Sequence, residues 1–251
     1  MKKVIAMLLA TVLCLAAFTA CGSESASGDS VLVVGTNAEF PPFEYVGDDG
    51  EPDGFDIALI KEVAKRMDMD VEIQNMEFNS LVAAIGTKID AAIAGMTITE
   101  ERQAAVDFSD SYYEAVQYVI VSADSTIATA DDLKNKTIGA QIGTTGETIA
   151  NGIEGATVQS YNKAVDAVND LNNGRVDLVI VDRNPAKVFA EKFTGQVVAL
   201  EGAQFGFEAE YYAIALPKDS ELVEKVNTAL AEIKADGTFD KLVAEYIGDV
   251  E

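Results

Sequence analysis

The sequence predicts a wound α/β fold built as two units. Short apolar runs alternate with helical patterns, and this alternation occurs twice along the chain. With no histidine and only two cysteines, neither a metal nor a disulfide framework offers itself as an alternative scaffold. In the first unit Val31 to Gly35, Val71 to Met76 and Asp90 to Ala94 read as strands, with helices over Phe55 to Met67 and Asn79 to Thr87. The first helix follows Gly54 and sets Ile57, Ile60, Ala64 and Met67 on one side, with Leu59 and Val63 beside them, at the three-and-four spacing of a buried stripe.

The second unit starts at Asp131-Asp132-Leu133. It continues through a strand from Lys136 to Gln141, a helix near Glu147 to Ile153, a helix from Ala164 to Leu171 and a strand from Val176 to Asp182, then a helical stretch from Asn184 to Phe193. The chain ends with a strand from Tyr211 to Leu216 and a helix from Glu221 to Ala235 that turns Leu222, Val223, Val226, Leu230 and Ile233 inward. Gly237 stops that helix, and a short one from Phe239 to Tyr246 closes the chain. Two α/β units imply two lobes, with switch regions at Tyr112 to Val116 and Glu208 to Tyr212.

Lys2 and Lys3 precede an uncharged apolar run from Val4 to Phe18, followed by Thr19 and Ala20, which is the order of a secretory leader over residues 1–20. The run is short for a membrane-spanning helix, which needs about 20 apolar residues. Phe18-Thr19-Ala20-Cys21 resembles a bacterial lipobox, in which the cysteine is lipidated. The alternative is a secreted protein cut at a neighbouring small residue, with Cys21 a stray thiol. Residues 21–30 are polar and rich in Gly and Ser, as suits a lipid-anchored flexible tether. The expected location is therefore outside the cytoplasm, anchored by lipid at the outer face of the cytoplasmic membrane, or in the periplasm of a host with an outer membrane.

Cys14 leaves with the leader and Cys21 would be modified, so packing alone must hold the core. Without histidine or a mature free cysteine, a catalytic zinc site or a Ser-His-Asp triad is implausible, and neither metal nor cofactor is expected. The 18 basic residues stand against 42 acidic ones for a net charge of −24, which argues against nucleic acid as a partner. The acidic excess mildly favours a cationic ligand, but solubility explains it equally well, since exposed charges are screened over about 8 Å.

Four ordered motifs resemble the polar amino-acid group of the bacterial extracellular solute-binding proteins of family 3, which serve ABC importers. They are Gly35-Thr36-Asn37-Ala38-Glu39-Phe40-Pro41-Pro42-Phe43-Glu44-Tyr45, Gly54-Phe55-Asp56-Ile57, Ala94-Gly95-Met96-Thr97-Ile98-Thr99-Glu100-Glu101-Arg102 and Asp107-Phe108-Ser109-Asp110. The resemblance covers Val31 to the C-terminus. It implies a two-lobed clamp of the type II periplasmic-binding-protein kind with two hinge crossovers, residues 31–112 and 213–251 forming one lobe and 117–207 the other. It also implies ligand trapped by closure, a free polar amino acid as that ligand with a cationic one left open, ABC permease and ATPase subunits as partners, and a monomer.

A free amino acid carries opposite charges on one carbon, so a specific site needs opposite charges on separate rigid elements. Arg102 offers a planar fork for the carboxylate, and the resemblance gives it that role, with Gly95 and Thr97 adding donors and acceptors. A solvated charge in a first helical turn is its bland reading. Asp182 ends an apolar strand, where α/β folds place ligands, and its family counterpart takes the ammonium; a helix N-cap is the competing role. Gln141 to Gly146 joins a strand to a helix whose unpaired amides favour an anion, with Thr145 the expected carboxylate contact. Phe40 and Phe78 match ring positions that wall the ligand side chain, although an isolated phenylalanine is usually core.

Asn37 departs from the aspartate common in relatives that bind lysine, arginine or glutamine, and its amide suits a neutral polar side chain. Glu39 nearby keeps a cationic ligand open. An enzyme of the cyclohexadienyl dehydratase kind is the alternative on this fold, with Glu39 and Glu44 as its only nominable acids. Neither stands in a recognisable catalytic constellation, so no catalytic residue is assigned.

Overall fold

The computed structural model describes residues 30–248; the leader, Cys21, nearly all of the tether and residues 249–251 lie outside the described residues. After β1 (Ser30–Thr36) a small antiparallel sheet forms from β2 (Glu39–Phe40), β3 (Glu44–Val46) and β4 (Pro52–Asp53). Helix α1 (Phe55–Arg66), β5 (Met69–Asn75), a 3-10 turn into α2 (Leu81–Ala84), β6 (Ala91–Ala92), α3 (Glu100–Ala105) and β7 (Asp107–Phe108) follow. The long β8 (Tyr113–Ser122) leads to β9 (Thr137–Gln141), α4 (Thr145–Gly152), β10 (Thr157–Tyr161), α5 (Ala164–Asn172), β11 (Leu178–Asp182), α6 (Arg183–Lys192) and β12 (Val197–Leu200). Finally β13 (Ala209–Tyr212) returns the chain to β14 (Ala215–Leu216), α7 (Leu222–Ala235) and α8 (Thr238–Leu242).

The first sheet has the order β5-β1-β6-β14-β7 and the second β10-β9-β11-β8-β12. β6 runs parallel to β1, and β9 runs parallel to both β10 and β11. The carboxyl ends of these parallel strands are where such sheets bind ligands. Asn37 follows β1, Gly95 follows β6, Gln141 ends β9 and Asp182 ends β11, so four predicted site residues occupy that position.

Between the sheets the chain leaves through β8 and returns through β13, and the two pair antiparallel, with Tyr113 opposite Tyr212 and Val116 opposite Ala209. Both expected switch regions thus meet in one ribbon. Phe43 buttresses it, its ring 4.9 Å from Tyr113, 5.2 Å from Tyr212 and 6.2 Å from Phe55. Helix α1 buries Phe55, Ile57, Leu59, Ile60, Val63 and Ala64, as its stripe predicts. Gly54 at its start has φ +121°, and a Cβ there would lie 2.4 Å from the Phe43 carbonyl oxygen, so only glycine fits.

Several elements differ from expectation. The apolar run Tyr211 to Leu216 is two strands, β13 in the second sheet and β14 in the first, because one run serves both sheets. The helix expected over Asn79 to Thr87 shrinks to the 3-10 turn Phe78–Ser80 and one turn of α2. Ile85 turns extended to bridge Ile89, and Gly86 adopts φ +75°. Past Leu242 the last helix widens into a π turn over Val243–Ile247.

Candidate functional site

All the predicted ligand-binding residues except Glu39 line one pocket, joined by Glu44, Ala94 and Thr144. The pocket retains about 10 Å³ of free space, roughly room for one water, so an amino acid enters only if its walls separate. Three contacts between segments of the two sheets would part: Arg102 Nη2 to the Gly143 carbonyl at 2.9 Å, Gln141 Nε2 to Asn37 Oδ1 at 2.9 Å, and Lys163 Nζ to Glu39 Oε1 at 2.6 Å.

Arg102 sits on α3, whose N-cap Thr99 accepts a hydrogen bond from the Arg102 amide. Its guanidinium donates 2.6 Å to the Thr97 carbonyl and lies 5.3 Å over the Phe78 ring. This is a held, partly buried cation rather than a solvated one, and Phe78 supports the arginine as well as walling the pocket. Burial lowers the guanidinium pKa, while the Glu210 and Asp182 charges offset part of that.

Asp182 holds the N-cap position of α6, but its side chain makes no capping bond. Its Oδ1 is buried without a hydrogen-bond partner among the described residues. Burial pushes the carboxyl up to about 7, and the Glu210 charge adds to the rise, while Tyr212 and Gln117 offset part of it. An ammonium placed against Oδ1 would supply the missing partner and favour the ionised form.

Gly95 departs from its expected role as a donor, because its amide already donates 2.7 Å to Asp56 Oδ2. Its φ is +52°, and a Cβ would come within 3.1 Å of Phe40. The Thr145 hydroxyl is likewise engaged, donating 2.7 Å to Glu210 Oε2, so a ligand carboxylate would meet the backbone amides that open α4. The amide of Asn37 donates 2.9 Å to the Met76 carbonyl and accepts from Gln141. Glu39 lies in an adjoining cavity of about 260 Å³ with Glu77 and Lys163, and Asn37 lines both spaces.

Three residues escaped the sequence reading of the site, and a fourth, Glu44, entered it only as an acid for the enzyme alternative. Glu44 is fully buried on the pocket wall, with neither oxygen hydrogen-bonded among the described residues. Burial, then the neighbouring Asp56 charge, pushes it well above the usual carboxylate range. Asp56 receives the Gly95 amide and the Tyr112 hydroxyl on Oδ2, so Glu44 is the member of the pair that keeps the proton. Glu210, Gln117 and Tyr212 come from the β8–β13 ribbon. A carboxylate within the predicted return segment was the one available signal.

The family model of the bacterial extracellular solute-binding proteins, family 3, matches residues 32–249. The chain belongs to this family. Membership in an extracellular family places the protein outside the cytoplasm. The arginine-binding extracellular protein ArtP of Bacillus subtilis is 37% identical over 256 residues, covering 98% of this chain and 98% of ArtP. The fold is similar to that of the arginine-, lysine-, histidine-binding protein ArtJ from Geobacillus stearothermophilus, with TM-score 0.82 and 36% identity over 88% of this chain and 96% of the other. An ancestral arginine-binding protein bound to arginine matches with TM-score 0.81 and 39% identity, covering 87% and 99%. The architecture is that of the two-lobed type II fold of periplasmic amino-acid-binding proteins.

Proposed function

We propose that this protein captures a free amino acid, preferentially one with a cationic side chain, and delivers it to an ABC importer. The observation that carries the proposal is the meeting in one pocket of Arg102, from the segment after the first sheet's β6, and Asp182, at the end of the second sheet's β11. Opposite charges on separate elements suit the carboxylate and ammonium of one α-carbon. The preference for a cation rests on the acids around the pocket, Asp182 on its wall and Glu39 and Glu77 in the adjoining cavity, and on the relatives named for arginine.

In this reading residues 31–112 with 213–251 and residues 117–207 are the two lobes, and the β8–β13 ribbon is the hinge. Residues 1–20 are a leader, Cys21 carries the lipid, and the protein works as a lipid-anchored monomer beside permease and ATPase subunits. It is not an enzyme. Glu39 is tied to Lys163, and the relatives named above are binding proteins.

A thermal-shift panel of the twenty amino acids tests the proposal. Ligand at 100 times its dissociation constant stabilises the native state by about 2.7 kcal/mol. Arginine or lysine is expected to raise Tm by several degrees, and no response to any amino acid would refute the reading.

A further inference from the structure

Glu210 lies on β13 opposite Ala115, outside the predicted site, yet one of its oxygens gathers three donors. Oε2 accepts from Thr145 Oγ1 at 2.7 Å, Thr97 Oγ1 at 2.9 Å and Gln117 Nε2 at 3.3 Å. Thr97 follows the first sheet's β6 and Thr145 opens α4 beside the second, so the hinge carboxylate reaches both walls of the pocket. A hydroxyl has a single proton, and a carboxylate oxygen only accepts. Once those protons point at Glu210, the threonine oxygens have only lone pairs to offer elsewhere.

We infer that Glu210 sets the polarity of the pocket: it turns the Thr97 and Thr145 hydroxyls into acceptors, so that the corner beside Asp182 receives a ligand's ammonium and rejects its carboxylate. A second observation points the same way. Asp182 Oδ1 and Gln117 Oε1 are both buried there with no donor in hydrogen-bond geometry among the described residues, Asp182 being 7% and Gln117 0% exposed, and the Tyr212 hydroxyl beside Asp182, buried and unpartnered too, has one proton for the two of them. Gln117 turns its nitrogen toward Glu210 and toward the Thr145 hydroxyl oxygen at 3.2 Å, which fixes its own oxygen as one more acceptor and leaves Thr145 one lone pair to offer. The donors stand elsewhere, on the Arg102 guanidinium and the first amides of α4, and that is where the carboxylate is sent. Glu210 is thus a positioning residue, acting through two threonines.

The inference rests on amino-acid binding in this pocket, and the test separates the two. Calorimetry on the purified protein compares L-arginine, 5-guanidinopentanoate, which lacks the ammonium, and L-argininamide, which lacks the carboxylate. If the wild type binds none of the three, the functional reading itself fails. Otherwise the wild type is expected to prefer arginine over 5-guanidinopentanoate by about 100-fold or more, the size of one or two charged hydrogen bonds. In Glu210→Ala the freed hydroxyls can donate, and this preference is expected to narrow by about tenfold, while the ratio of arginine to argininamide changes by less than about twofold. Glu210→Gln keeps the side chain's size and is expected to fall between, so it carries the test if the alanine variant does not fold. Equal weakening of all three ligands would make Glu210 a mere structural support. Tighter arginine binding would make it an internal competitor for the carboxylate position. Either result overturns the inference.

Discussion

Arg102 donates a 2.9 Å hydrogen bond to the carbonyl of Gly143, so the cation proposed to grip the ligand also ties the loop after β6 to the turn before α4. Its other terminal nitrogen is held by the Thr97 carbonyl at 2.6 Å, which orients the guanidinium plane over Phe78. In the proposed function, recognition and closure would therefore share one side chain.

Replacing Arg102 tests that dual role. Two charged hydrogen bonds to a carboxylate are worth about 1.5 to 3 kcal/mol each, so Arg102→Ala should weaken amino-acid binding by at least about 100-fold. Arg102→Lys keeps the charge but loses the fork, and should recover only part of the affinity by calorimetry. Scattering from the ligand-saturated lysine variant should still show a more open average form than the wild type, since the tie to Gly143 is weakened.

Asp182 should make binding pH-dependent. Its folded carboxyl is pushed up to about 7 from an ordinary 3.8, so the folded protein holds a proton that the unfolded chain has released. Stability from this group is complete below about pH 4 and is lost as pH rises through about 7. A bound ammonium reverses the cost by favouring the carboxylate. Calorimetry in buffers of different ionisation enthalpy should then show release of nearly one proton per ligand at pH 6 and almost none at pH 8. Affinity should climb about tenfold per pH unit up to about pH 7 and then level off. Asp182→Asn should abolish the proton release.

Glu44 and Asp56 should respond unequally to neutralisation. Glu44 keeps its proton, so Glu44→Gln replaces one neutral group by another and should change unfolding free energy by less than about 1 kcal/mol in urea titrations. Asp56→Asn weakens the acceptor for the buried Gly95 amide and the Tyr112 hydroxyl. It should cost about 1 to 3 kcal/mol and loosen the Gly95 turn against Phe40. A larger effect at Glu44 would mean that the proton sits on Asp56.

Asn37 bears on selectivity. Asn37→Asp loses the donor to the Met76 carbonyl at a position only 4% exposed, so about 1 to 3 kcal/mol of stability should go with it. The new carboxylate lines both cavities, and the ratio of arginine to glutamine affinity should rise by about tenfold in competition assays.

What the sequence made legible follows from how local each signal is. The stripe of α1 is read from side chains three and four apart, and its buried residues match. Arg102 and Asp182 were legible through a motif and a strand end. Strand β10 was missed because it edges the second sheet, where its half-exposed stretch Thr157–Tyr161 lacks an apolar run, whereas β12 is the apolar run Val197–Leu200 and carried a signal that went unread. The division of Tyr211 to Leu216 between two sheets could not be read, since every residue in it is apolar or aromatic whichever sheet it joins. Glu210 owes its part to the register of β8 against β13 and to hydroxyls over sixty positions away in sequence, at Thr145 and Thr97. The resemblance gives Gly95 a place among the donors and acceptors of the carboxylate site, and the partner that takes its amide, Asp56, was not legible because it belongs to a different motif.

A crystal structure of the protein with L-arginine tests the central claim most directly. The account predicts the α-carboxylate within about 3 Å of the Arg102 guanidinium and the amides opening α4, and the α-ammonium within about 3 Å of Asp182 Oδ1. Arginine bound with these ends reversed, or bound outside this pocket, would contradict it.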